Sequence, residues 1–124
     1  MKERPFPEDA WPEDFMVAPQ SSASLHASLV SITGGVTTAL LLSHAIKLSL
    51  ALEEAAGGWF TCTAEQWQEA TGLSEWEQEA ARRVLRVNAF LAEQRRGESR
   101  SLWFHVKIWV VLSALRAGVG SRLH

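Results

Sequence analysis

The stretch that decides the fold is TAEQWQEATGLSEWEQEAARRVLR, residues 63–86. It contains two short helical patterns separated by TGLS, whose glycine allows the positive φ of a tight turn. Thr63 with Gln66, and Ser74 with Glu77, have the S/T-x-x-E/Q spacing of a capping box, which predicts where each helix begins. Two capped helices joined by a glycine-containing turn form a helix-turn-helix arrangement.

The sequence on either side of this stretch supplies the rest of the domain. Residues 36–54 are apolar around almost the whole girth of a helix, so we expect a central helix there. WFTC, residues 59–62, is a short β-type run, and the β-formers that flank the polar turn RRGES predict a hairpin over about 90–106. A C-terminal helix is expected over about 107–117. This order predicts a mainly α fold with a small β-hairpin, a winged helix-turn-helix, over residues 15–124.

Composition and length fit one compact domain. The chain has 124 residues, 47% of them hydrophobic and 21% charged, which is enough apolar material for a single core. Residues 1–14 contain three prolines and five acidic side chains. They are predicted to form a flexible acidic arm in front of the domain.

The sequence predicts a cytoplasmic protein. The N-terminal residues lack the apolar run of a secretory signal. The most apolar stretch, VTTALLLSHAIKLSLAL, has 17 residues and carries Lys47 near its middle, which is short of a bilayer span. The single cysteine, Cys62, cannot form an internal disulfide, and we expect it to be a small buried residue.

Charge is segregated along the chain. Residues 1–79 hold 12 acidic and 3 basic side chains, a net −9, whereas residues 80–124 hold 2 acidic and 9 basic ones, a net +7. Six arginines and no lysine lie between positions 82 and 100, and the planar arginine fork matches phosphate oxygens and guanine edges. This favours nucleic acid as a partner. The alternative, that the two halves neutralise each other in the fold, stays open.

Helical geometry turns this charge pattern into a predicted site. If Leu73, Ala81 and Leu85 face the core, Trp76 and Arg83 face outward at about 100° per residue. We predict that three arginines of the second helix contact DNA phosphates or bases: Arg82, Arg83 and Arg86. Trp76 and Gln78 of the same helix are predicted to add base-edge or apolar contacts. Three arginines of the hairpin are predicted to hold the DNA backbone: Arg95, Arg96 and Arg100.

The segment from residue 34 to about residue 106 resembles the winged helix-turn-helix domain of phage and plasmid replication proteins and related mobile-element proteins. The match includes Gly58, Trp59, Phe60, Thr63, Gln66, Trp67, Thr71, Gly72, Leu73, Ser74, Glu77, Gln78, Ala81, Arg82, Arg83, Leu85, Arg86 and Leu91. The resemblance implies a winged helix that binds double-stranded DNA, with a role in replication or transcription of a phage, plasmid or integrated element. The chain departs from the family pattern at Glu75-Trp76, where the family has a basic pair, and at Asn88-Ala89, where it has Leu-Gly.

Several alternatives accompany these predictions. Acids at a helix start and arginines towards its end are also what the helix dipole favours on an ordinary surface. An outward Trp76 fits a protein-interaction module of the same fold that has lost DNA affinity. The apolar segment around Trp109 fits either a homodimer surface or a last helix docked on the core. Trp59, Trp67 and Trp103 are expected to fill the core.

No chemistry-bearing cluster emerges from the sequence. The four histidines are scattered without metal-ligand spacing, no phosphate-binding glycine pattern is present, and nothing identifies a base for Cys62. We therefore expect no enzymatic activity, no cofactor, no metal and no small-molecule substrate.

Overall fold

The computed structural model describes residues 22–122, with side chains from residue 25 to residue 118. The predicted acidic arm, residues 1–14, lies outside the described residues. The elements in chain order are α1 (Ser22–Thr33), α2 (Val36–Ala51), α3 (Glu53–Ala56), β1 (Trp59–Thr61), α4 (Ala64–Thr71), α5 (Glu75–Val87), β2 (Leu91–Arg96), β3 (Ser101–Val106) and α6 (Ile108–Arg122). The fold is mainly helical with a small antiparallel sheet, as the sequence predicts.

The central helix α2 is buried along much of its length. Its buried residues are Thr38, Ala39, Leu41, Leu42, Ala45, Ile46 and Ser49. The helix ends at Ala51 rather than at the predicted Glu54, because the chain leaves helical geometry at Leu52 and then makes the single turn α3. Gly57, at φ 60°, ends that turn in the left-handed conformation.

Both predicted capping boxes are present. The Thr63 hydroxyl accepts a hydrogen bond from the Gln66 backbone N–H at 3.1 Å, and the Gln66 side chain accepts one from the Thr63 N–H at 2.9 Å. Ser74 and Glu77 make the same reciprocal pair at 3.2 and 2.9 Å. Gly72, at φ 78°, makes the turn between α4 and α5. The two helices and the turn between them are therefore fixed locally, by bonds that satisfy the first N–H groups of each helix.

The predicted hairpin is part of a three-stranded sheet with the order β1-β3-β2. Phe60 pairs with Phe104, and Leu91 pairs with Val106, so these four side chains face the helices and are buried. Alternation along each strand turns the neighbouring side chains to the opposite face.

This alternation contradicts one sequence expectation about the core. Trp59 and Trp103 lie on the outer face of the sheet, half-buried, and do not fill the core. Trp67 does fill the core: it is 1% exposed and contacts Phe60 and Phe104 edge to face.

The last helix, α6, extends to Arg122, beyond the predicted end at 117. It packs against α1 and buries Ile108, Val111, Leu112 and Leu115. Trp109 remains 48% exposed. No single helix within residues 22–122 is long and apolar enough to cross a membrane; residues 25–33 and 36–51 reach that length and hydropathy only as a pair bent by 118°.

Candidate nucleic-acid interface

Helix α5 presents one buried face and one exposed face. Gln78, Ala81 and Leu85 are buried against the rest of the domain. Trp76, on the opposite side, is 78% exposed, as the sequence predicts. Arg83 lies on the same outward face, since the two residues are separated by about two helical turns.

Gln78 does not face outward, so the prediction that it contacts base edges is wrong for this structure. Its side chain is 2% exposed, and its Nε2 donates to the carbonyl oxygens of Ala64 and Leu73, each at 2.9 Å. These two bonds tie α5 to the start of α4 and to the turn. Gln78 precedes Ala81 by three residues and Leu85 by seven, and this core spacing is the sequence feature that could have predicted its burial.

Arg82 and Arg86 are both held by Glu93 of strand β2. Arg82 donates from Nε and Nη2 to the two carboxylate oxygens at 2.9 and 3.0 Å, and Arg86 Nη1 donates at 2.9 Å. The side chains of Arg82, Arg86 and Glu93 are 20%, 42% and 11% exposed. We call these three residues the Glu93 cluster.

The electrostatics of the Glu93 cluster favour the charged carboxylate. Burial raises the pKa of the Glu93 carboxyl, but the hydrogen bonds and charges of Arg82 and then Arg86 outweigh burial, and the pKa lies below its ordinary value. Two cations and one anion leave the cluster with a net charge of about +1. Sequence reasoning missed Glu93, although it lies two residues after Leu91 and therefore on the helix-facing side of β2.

Arg96 lies on the other face of the sheet from α5. Its guanidinium carbon is 4.6 Å from the centre of the Trp59 ring and 4.9 Å from that of Trp103, and its Nε donates to Gln94 Oε1 at 2.7 Å. His105 stacks on Trp59, with ring centroids 5.1 Å apart. Arg96, which the sequence predicts to hold the DNA backbone through the hairpin, therefore does not lie on the α5 side of the sheet.

Arg95 lies on the α5 side of the hairpin. It lines a groove of about 550 Å³ with Glu75, Glu79 and Arg82. Its Nη1 donates to the backbone carbonyl of Arg100 at 3.0 Å, across the hairpin turn. The groove between α5 and the hairpin thus contains both carboxylates and guanidinium groups.

Arg100 is exposed at the hairpin turn, at φ 56°. Arg83 is exposed on α5, and neither side chain pairs with a carboxylate among the described residues. The eight predicted site residues therefore fall into separate groups. Arg83 and Trp76 face outward, Arg95 and Arg100 stand on the hairpin, Arg82 and Arg86 belong to the Glu93 cluster, Arg96 lies on the outer sheet face, and Gln78 is buried.

Cys62 is half-buried beside this groove rather than fully buried. Burial raises the pKa of its thiol to about 11, so the thiol is protonated at neutral pH. Among the residues with described side chains, no three His, Cys, Asp or Glu groups lie close enough together to hold a metal ion.

Comparison with protein-family models, with curated proteins and with solved structures finds no match for this chain.

Proposed function

We propose that the chain is a winged-helix protein that binds double-stranded DNA. Three features support the winged-helix assignment. The elements follow the order helix, strand, helix, turn, helix, hairpin; the first strand pairs with the last strand of the hairpin; and the capped helices α4 and α5 form a helix-turn-helix. In such an arrangement α5 enters the major groove and the hairpin contacts the adjoining backbone.

The observation that carries the DNA proposal is the set of exposed arginines on α5 and on the neighbouring hairpin. Arg83, Arg95 and Arg100 have no carboxylate partner among the described side chains. Arg86 is bonded to Glu93 through one nitrogen only and keeps further N–H donors. These four side chains form the proposed phosphate-contacting set, while Arg82 holds the hairpin against α5 through Glu93.

The salt dependence of binding tests this proposal directly. If four arginines each neutralise one phosphate, the logarithm of affinity should fall with log salt at a slope of about −3.6, or about 150-fold between 50 and 200 mM. Replacing Arg83 and Arg95 with alanine should halve the slope to about −1.8, which reduces the loss of affinity over the same salt range to about 12-fold. Fluorescence anisotropy with a labelled random duplex measures both.

A matched control removes a positive charge elsewhere. Lys47 is exposed on α2, away from α5's outward face, so Lys47→Ala should leave the slope unchanged. Equal slopes for the wild type and the Arg83/Arg95 variant would refute the assignment of these contacts. Absence of duplex binding at about 50 mM salt would refute DNA as the ligand.

The second candidate is a protein-interaction module of the same fold. Trp76 and Val87 are 78% and 80% exposed on one stripe of α5, and large exposed apolar side chains act as anchors in protein interfaces. The partner would be another protein or a second copy of this chain, with Trp109 offering a further apolar contact. Under this alternative no duplex binding appears, and Trp76→Ala lowers the assembly mass measured by light scattering after size-exclusion chromatography.

The biological role we propose is control of transcription or replication of a phage, plasmid or integrated element. It is supported by the resemblance over residues 34–106. Footprinting of the protein on the DNA that surrounds its own gene would test it, since regulators and replication initiators of such elements protect sites there.

A further inference from the structure

Most polar side chains of α5 already make hydrogen bonds within the domain. Glu77 caps the helix by accepting from the Ser74 N–H, Gln78 is buried, and Arg82 and Arg86 are bonded to Glu93. Arg83 belongs to the proposed phosphate-contacting set, so the side chains left to approach the bases from the first three turns are Glu75, Trp76 and Glu79. The fold therefore reduces the base-reading surface to two carboxylates and one indole.

The two carboxylates lie on the side of α5 that borders the hairpin. Glu75 and Glu79 are exposed and line the groove between α5 and the hairpin. At about 100° per residue, Glu79 lies about 40° from Arg83 around the helix axis and one turn closer to the N-terminus. Glu79 and Arg83 therefore point in similar directions from α5.

The chemistry of a carboxylate restricts which base it can meet. An ionised carboxylate only accepts hydrogen bonds. In the major groove the cytosine amino group is a donor beside a C–H edge, whereas the adenine amino group lies next to the N7 acceptor, and guanine and thymine offer acceptors.

We propose that α5 selects G·C base pairs through the major groove, with Glu79 accepting from a cytosine amino group. This inference rests on the proposed function. On an A·T sequence the adenine amino group lies beside the N7 lone pair, which repels a carboxylate, so the unfavourable term against A·T adds to the favourable one for G·C. Glu75, on the same groove, adds to this discrimination.

Three duplexes of equal length and charge test the inference by fluorescence anisotropy with the full chain. One contains A·T pairs, one G·C pairs and one inosine·cytosine pairs, which keep the major-groove pattern of G·C but lack the minor-groove amino group. We expect G·C and inosine·cytosine to bind about tenfold more tightly than A·T, the scale of one good base contact.

A charge-matched pair of variants separates base reading from general electrostatics. Glu79→Gln supplies an amide, which pairs with adenine, so the G·C to A·T ratio should fall to about one. Glu69→Gln removes the same charge from the exposed side of α4 and should leave the ratio unchanged. A merely structural role for Glu79 would lower affinity for all three duplexes alike.

The outcomes separate the two proposals. Equal binding of all three duplexes overturns the inference and leaves the proposed function standing. Inosine·cytosine binding as weakly as A·T also overturns it, because recognition would then occur in the minor groove. If none of the duplexes binds at about 50 mM salt, the proposed function fails and the inference fails with it.

Discussion

Replacing Glu93 with glutamine should destabilise the domain by about 2 kcal/mol. Glu93 accepts three hydrogen bonds from Arg82 and Arg86, at 2.9, 3.0 and 2.9 Å, and its side chain is 11% exposed. Charge-assisted bonds contribute about 1.5–3 kcal/mol in protected sites, and exposed ion pairs contribute below about 1 kcal/mol. The Arg82 bonds belong to the first class, and the bond to Arg86, which is 42% exposed, belongs to the second.

Differential scanning calorimetry measures this effect as a lower Tm. For a domain of about 100 residues, a loss of about 2 kcal/mol corresponds to a decrease of roughly 10 °C. Glu98→Gln is the matched control, because Glu98 is exposed at the turn of the same hairpin, and its Tm should stay within about 2 °C of the wild type. If the Glu93 and Glu98 variants have the same Tm, the Glu93 cluster does not stabilise the fold.

The pH dependence of the same variant provides a second check. The folded-state pKa of Glu93 lies below its ordinary value of 4.5, so the unfolded chain binds the proton more tightly. The stabilisation is therefore complete above pH 4.5 and is lost as the pH falls through the lower, folded-state pKa. The Tm difference between wild type and Glu93→Gln should shrink below pH 4.5, and a constant difference would contradict this account.

Three further substitutions and one thiol reaction have outcomes that the structure determines. Ala89→Gly should raise stability by about 1 kcal/mol in urea titration, because Ala89 holds φ 62° at the end of α5; a loss would contradict this. Gly58→Ala should cost about 2 kcal/mol, since Gly58 holds φ +84° and a Cβ there would lie 3.0 Å from Oγ of the buried Ser49 and 3.1 Å from His105 Cδ2. Burial raises the pKa of the Cys62 thiol from the ordinary 9.0 to about 11. Because the thiolate is the reactive form, Cys62 should react with a disulfide reagent at pH 8 about a hundredfold more slowly than the same thiol in the unfolded chain. Gln78→Ala should lower stability by about 2 kcal/mol without changing the salt slope of DNA binding; a change in that slope would show that Gln78 takes part in DNA binding.

The parts of the fold that local chemistry controls could be predicted from the sequence. Both capping boxes occur where the S/T-x-x-E/Q spacing predicts them, and the hairpin forms around Gly97, at φ 77°. These features need only residues that lie close together in the chain. The division of the central helix at Leu52 could not be predicted, because the pattern of apolar residues continues through the break and tertiary packing decides where the helix ends.

The site was harder to predict because its contacts join distant parts of the chain. Arg82 and Glu93 are eleven residues apart, and their pairing depends on how the hairpin packs against α5. Gln78 has a polar side chain at a core position, and its burial is compensated by two backbone carbonyls that become neighbours only in the fold. The exposure of Trp76 could be predicted, because it depends on helical periodicity alone.

The distribution of the arginines follows from the geometry of the two elements that carry them. Arg82 and Arg86 are four residues apart on a helix and therefore share one side, so a single carboxylate can bind both. Arg95 and Arg96 are adjacent on a strand and must point to opposite faces. Arg95 consequently lines the groove beside α5, whereas Arg96 stacks between two tryptophans behind it. The six arginines of the segment thus divide into three groups: Arg82, which the two carboxylate oxygens of Glu93 hold; Arg96, on the outer sheet face; and the exposed Arg83, Arg86, Arg95 and Arg100 of α5 and the hairpin. The proposed salt slope is set by the four side chains of the last group.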